Sequence, residues 1–289
     1  MALRQRTGST VCPGCGALVG VNDETCYNCG RRNPALWGFS PLLRRLGRDL
    51  GFTSIVTVVC VGLYLATLAA SQDLMGGGGG AMSILSPDNL ALFTFGASGN
   101  VPVFRFGRWW TVLSASWLHG SLLHILFNMY ALRQLAPPTA ELYGPGRTVI
   151  IYVVGGAAGF IASSLAGHYL WWVPLPMLRG APVITIGASA SICAMIGALF
   201  HYGHRSGSSL ISGQMRQQAI FIIVYGLFMP GIDNYAHAGG FAGGYLISRW
   251  LDPLRPERVD HLIAGLACLA ISALAIIASV IFAIPLLRG

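Results

Sequence analysis

FTSIVTVVCVGLYLATLAA, Phe52 to Ala70, is a run of apolar residues without a single charge. As a helix it is long enough to cross a hydrocarbon layer of roughly 30 Å. The composition of the whole chain agrees. Hydrophobic residues make up 54% of the 289 and charged residues 10%, and the mean hydropathy is +0.62. A soluble domain carries about 25% charged residues. So few charges cannot cover a soluble surface of this size, and the apolar mass must face lipid.

Six further spans are read downstream, at about 112–135, 148–166, 187–200, 219–228, 236–250 and 262–287. The net charge of +8 comes from arginines alone, since the chain has no lysine. They lie between the apolar runs, which speaks for membrane orientation and against nucleic acid as a partner. With the N-terminus inside, only Arg105, Arg108, Arg179 and Arg288 fall outside and every other arginine inside. That asymmetry predicts seven spans with the N-terminus in the cytosol and the C-terminus outside. The start of the chain has no apolar signal region, so no cleavable signal peptide is expected. The bacterial plasma membrane is the expected setting.

Span parity brings polar residues together. Spans two, four and six run in the same direction, from outside to inside. Ser189 falls in the first turn of span four and His237 in the first turn of span six, while span two carries His119, His124 and Asn128. A serine hydroxyl becomes a useful nucleophile when a base can take its proton, and histidine titrates in the right range. His124 and Asn128 are four residues apart, hence on one helix face, and are candidate oxyanion donors alongside the N–H of Ser189 at a helix N-terminus. The 10 acidic residues all lie in loops or near span ends. A Ser–His dyad is therefore expected rather than a triad, with Asp233 left in solvent by the turn before His237. The stretch 168–185, rich in Trp and Pro, is expected to be irregular. Non-helical backbone at membrane depth lines a cavity, and hydrolysis needs one. Gly187, Ala188, Ala190, Gly197, Gly239, Gly240, Gly243 and Gly244 would let spans four and six approach closely.

HGSLLHILFN (119–128), GASAS (187–191) and AHAGGFAGG (236–244), with GRWW (107–110) ahead of them, resemble the rhomboid family of intramembrane serine proteases. The resemblance covers roughly Arg105 to Arg249. It implies cleavage of peptide bonds in or near transmembrane segments, with Ser189 as nucleophile, His237 as base, and His124 and Asn128 in the oxyanion hole. Gly240 and Gly244 match the family's packing glycines, and Arg108 and Trp109 a loop contact. Ala190 replaces a glycine that commonly follows the serine, and Cys193 an aromatic residue that often packs under the histidine. Two other readings differ at the site. A pseudoprotease that captures transmembrane segments without cutting would lack the serine or the histidine, and both are present. A transporter would show internal repeats, and none is found.

The N-terminus carries a different signal, C-P-G-C-x10-C-Y-N-C, in which Cys12, Cys15, Cys26 and Cys29 supply four thiolates at zinc-knuckle spacing. With few apolar residues around them, a metal would supply most of the folding energy. A disulfide is disfavoured by the cytosolic assignment. Cys60, Cys193 and Cys268 lie in apolar runs and read as small hydrophobes. Gly76 to Gly80 reads as a flexible loop, and Trp171 and Trp172 as interface anchors.

The expected protein is therefore an all-α, polytopic transmembrane helical bundle, a six-helix core with a seventh C-terminal helix and a small N-terminal zinc ribbon. The expected division is 1–34 ribbon, 35–51 basic linker, 52–250 protease core and 251–289 linker and added helix. No cofactor is expected for catalysis. The expected partners are transmembrane protein substrates, lipid and a cytosolic protein bound by the ribbon.

Overall fold

The computed structural model describes residues 5–12, 15–39, 49–72, 85–173, 183–229 and 231–288. The glycine run 76–80 and Arg4, Arg44, Arg45, Arg48 and Arg179 lie outside the described residues.

Two short strands come first, β1 (Ser9–Val11) and β2 (Leu18–Gly20), paired antiparallel with Thr10 opposite Val19. The α-helices that follow are α1 (Phe52–Ala70), α2 (Asn89–Phe95), α3 (Thr111–Ser114), α4 (Leu122–Tyr143), α5 (Pro145–Tyr169), α6 (Ser189–Ser206), α7 (Ser209–Phe228), α8 (Asn234–Trp250) and α9 (Val259–Arg288). Seven of these are long. By length and composition α1, α5 and Val259–Pro285 of α9 suffice to cross a membrane; α4, α6, α7 and α8 are shorter or more polar, and they include the helices that carry the candidate site.

Local chemistry sets the helix starts. Side-chain caps hold the first turns: Asp88 accepts from Ala91 N at α2, Ser121 from His124 N at α4, Ser208 from Ile211 N at α7 and Asp233 from Ala236 N at α8. The second long helix begins ten residues later than the expected 112. Val112 lies instead in α3, a tight turn follows at Ala115–Trp117, and the extended backbone at Leu118 and Ser121 breaks the run. His119 thus sits ahead of α4, not on it. Residues 201–218, between the expected fourth and fifth spans, are mostly helical, with one sharp link at Gly207–Ser208. Left-handed Gly207 (φ +76°) ends α6 and Ser208 caps α7, so both helices carry their polar residues beyond the apolar zone.

At the centre α5, α6 and α8 pack on one another. The contact is backbone to backbone. A Cβ on Gly240 or Gly244 would collide with the carbonyls of Ala190 and Ala194, and one on Gly197 with that of Phe241. Helix α7 lies at the edge and buries only Met215 among its described side chains.

Two buried arginines fasten α9 to this core. Arg147, counted above among the orienting charges, is 3% exposed. It donates to the carbonyls of Asp252 (3.1 Å), Arg255 (2.8 Å) and Pro256 (3.1 Å) and to His261 Nδ1 (3.0 Å), while its own amide donates to Glu257 (2.8 Å). Arg108 donates to Phe93 O (2.7 Å) and Ser279 O (3.2 Å), and Trp110 to Ser279 Oγ (3.0 Å). At 1.5 Å per residue, His261 and Ser279 stand about 27 Å apart along α9, close to the thickness of a hydrocarbon layer. The seventh helix is thus pinned near its start and again, at Ser279, some two thirds of the way along it.

Candidate active site

Ser189 is the first residue of α6. Gly187 precedes it at φ +123°, where a side chain is strained, and its amide donates to Ala115 O (2.9 Å). The chain thereby turns sharply into the helix, with the hydroxyl at its positive end. His237 lies in the first turn of α8, and its Nε2 is 2.9 Å from Ser189 Oγ. The close α6–α8 crossing makes this reach possible. Both residues therefore meet, from separate helices, at hydrogen-bond distance.

His124, on α4, faces the same spot. Its Nδ1 accepts from Gly120 N at 3.3 Å, which leaves Nε2 to carry the proton. A Cβ built on Gly187 would lie 2.7 Å from that Nε2 and 3.7 Å from Ser189 Oγ. A donor thus points into the space beside the serine that the glycine keeps open. Asn128 is buried and donates from Nδ2 to His124 O (2.8 Å), bracing the same turn; its Oδ1 has no partner among the described residues. His119 is fully buried with its ring 5.2 Å from that of His124, and neither ring nitrogen has a described partner.

Asp233 corrects the sequence reading. It is buried, not in solvent. Its carboxylate caps α8 at Ala236 N (3.0 Å) and accepts from Thr185 Oγ1 (2.7 Å) and from Ser163 Oγ. The signal was present: Asp immediately before a helical run is a capping pattern. It does not extend the Ser–His pair, since His237 Nδ1 has no hydrogen-bond partner among the described residues. Gly159 on α5 was also missed. A Cβ there would lie 2.5 Å from Ala236 O and 2.9 Å from Ala190 Cβ, so it wedges between the helices that hold the pair.

Cys193 lies one turn below Ser189 and, with Ile196, Ile220, Ile223 and Phe241, lines an apolar cavity of about 310 Å³ that reaches His237. The small thiol leaves this room.

The four N-terminal cysteines form a second centre. Their sulfurs all lie within 4.8 Å of one another, with Cys12 to Cys29 at 3.8 Å and Cys15 to Cys26 at 3.6 Å. A disulfide would need about 2.05 Å, whereas four thiolates about 2.3 Å from one ion stand ~3.8 Å apart. The donors therefore fit a tetrahedral metal. Both knuckles turn alike: Gly16 N donates to Cys12 O and Gly30 N to Cys26 O, each at 2.9 Å, and both glycines have positive φ. Donation from the Ala17 amide, and then from Asn28, brings the Cys15 thiol down to about 6. The local core is little more than Val19 and the cysteines themselves, so these residues can hold a metal ion and have little else to fold around.

Fold and site together define a helical membrane bundle with a histidine-bonded serine at a helix N-terminus. The Rhomboid domain matches residues 106–252, and the chain belongs to the rhomboid family. It is 30% identical over 168 residues to RHOMBOID-like protein 4 of Arabidopsis thaliana, covering 57% of this chain and 39% of that one. It is 30% identical over 164 residues to Rhomboid protease GluP of Bacillus subtilis, covering 55% and 29%. With Rhomboid-like protease 2 of Toxoplasma gondii it shares 27% identity over 206 residues, 68% and 64% of the two chains. The chain spans less than two thirds of the length of each of these relatives.

Proposed function

We propose that the protein is a serine endopeptidase that hydrolyses peptide bonds in or near transmembrane segments of other membrane proteins. The observation that carries this reading is the 2.9 Å contact between His237 Nε2 and Ser189 Oγ, inside the bundle of a family that includes named proteases. Ser189 Oγ attacks the scissile carbonyl carbon while His237 Nε2 takes its proton. The carbonyl oxygen becomes an oxyanion and accepts from His124 Nε2–H, the Ser189 N–H and the second amide proton of Asn128. The C–N bond then breaks as His237 returns the proton to the leaving amine, leaving an acyl ester on Ser189. Water, deprotonated by His237, hydrolyses that ester. With no carboxylate on His237 Nδ1 among the described residues, the pair works as a dyad.

The four cysteines are proposed to hold one structural zinc ion, and residues 1–34 to form a ribbon that docks a cytosolic protein. Residues 35–51 would be a basic linker, 52–250 the protease core and 251–289 a linker and the added helix. The arginine bias supports a cytosolic N-terminus and an outer C-terminus. Purified protein incubated with a single-span reporter tests the main reading: wild type should cleave, Ser189→Ala and His237→Ala should not. Binding without cleavage by the wild type would instead mark a pseudoprotease.

A further inference from the structure

Asp233 has more partners than a helix cap requires. One oxygen, Oδ1, suffices for the cap at Ala236 N. The other accepts two hydroxyls from two different elements, Ser163 on α5 and Thr185 on the segment that leads into Ser189. Thr185 is itself held on both sides, since its N–H donates to Ser98 O (2.8 Å) and its carbonyl accepts from Ser98 N (3.1 Å). A buried carboxylate costs stability unless it is hydrogen-bonded, and this one accepts three hydrogen bonds, two from hydroxyls and one from the Ala236 N–H. Its place in the chain gives those contacts a consequence. Ser189 follows Thr185 by one helical turn's worth of residues, and His237 follows Asp233 by the same number, with His237 N donating to Asp233 O (3.1 Å).

The geometry points to Asp233 as a positioning residue that fixes the distance between Ser189 and His237 by tying the base-bearing end of α8 to the nucleophile-bearing segment and to α5. It touches neither reacting atom and acts through hydrogen bonds from Ser163 and Thr185. The inference rests on the protease reading.

The test compares Asp233→Ala, Asp233→Asn, Ser163→Ala and Thr185→Val with wild type, Ser189→Ala and the remote cap variant Ser208→Ala, measuring kcat and KM on a reporter and Tm in detergent. Displacement of a reacting group by about 1 Å costs on the order of 10² in rate, so Asp233→Ala should lose kcat on that scale with KM unchanged. Asparagine caps helices as well as aspartate and can bond both hydroxyls after they rotate, so Asp233→Asn should stay within about threefold of wild type. Ser163→Ala and Thr185→Val should each lose several-fold and add little on top of Asp233→Ala, as members of one network do. Ser208→Ala should lower Tm and leave kcat alone. If Asp233→Ala keeps wild-type kcat at a Tm lowered like that of Ser208→Ala, or if Asp233→Asn is as impaired as Asp233→Ala, the inference is overturned. If Asp233→Ala does not fold, wild-type kcat in both hydroxyl variants overturns it equally. A wild type that does not cleave refutes the protease reading instead.

Discussion

Replacing Gly159 by alanine adds a single methyl at the point where α5 meets both α6 and α8. The built Cβ stands 2.5 Å from Ala236 O, 2.9 Å from Ala190 Cβ and 3.1 Å from Gly240 N, and ordinary contact begins near 3.4 Å, so the first turn of α8 has to retreat by about 0.9 Å. Ala236 adjoins His237 and Ala190 adjoins Ser189, and a retreat of that size takes their 2.9 Å contact toward ~3.8 Å, beyond the range of a hydrogen bond. Cleavage should fall on the order of 10²-fold. Stability should move much less: alanine in a helix recovers about 1 kcal/mol over glycine, while overpacking costs about 1–3 kcal/mol, for a net loss of roughly 0–2 kcal/mol. Gly62→Ala on α1, with nothing within 4 Å of the new methyl, is the control and should leave cleavage unchanged and Tm equal or higher. The assay is reporter cleavage in detergent beside a thermal melt. Cleavage by Gly159→Ala within threefold of wild type would refute the view that backbone contact among these helices sets the geometry of the pair.

Three further outcomes follow from the same structure. His124→Ala should lower kcat by about 10²–10³-fold with KM little changed, as expected for loss of one oxyanion donor; a pure KM effect in steady-state kinetics would point to substrate binding instead. Elemental analysis should find one zinc per chain, and a Cys12→Ser, Cys29→Ser protein, or wild type treated with a chelator, should lose it together with hydrogen-exchange protection of β1 and β2, while α1–α9 remain folded; unchanged metal content would remove these ligands. Desolvation raises the Glu257 carboxyl above its ordinary 4.5. Its contribution to stability is therefore full below that ordinary value and is lost as pH rises through the raised one. Melts of Glu257→Gln should show a flatter dependence on pH across that window and, at neutral pH, a Tm no lower than wild type.

The apolar runs made the seven-helix plan legible, because burying a backbone in lipid leaves a long helix as nearly the only solution for each run. Span parity led to the expectation that Ser189, His237, His124 and Asn128 converge, and the helices that carry them hold His237 Nε2 2.9 Å from Ser189 Oγ. What stayed hidden depended on residues that change meaning with their neighbours. The cap made by Asp233 was readable from its place before α8, but its burial was not, since Ser163 and Thr185, which face it, lie 70 and 48 positions away. Arg147 contributes to the charge asymmetry, yet it spends its guanidinium on loop carbonyls rather than on water. The late start of α4 was readable in principle from Gly120 and Ser121, a break followed by a cap, but the apolar residues on either side of them blur into one span. Gly159 sits among several glycines in an apolar helix, and sequence cannot say which of them meets another backbone.

The central claim, that His237 activates Ser189 for attack, is tested most directly by covalent capture. Purified protein is treated with a fluorophosphonate, and peptide mass spectrometry locates the adduct. One adduct per chain on Ser189 is expected, with labelling lost in Ser189→Ala and strongly slowed in His237→Ala. Labelling of Ser189 at an undiminished rate in His237→Ala, or a wild-type adduct found elsewhere with Ser189 unmodified, would contradict it.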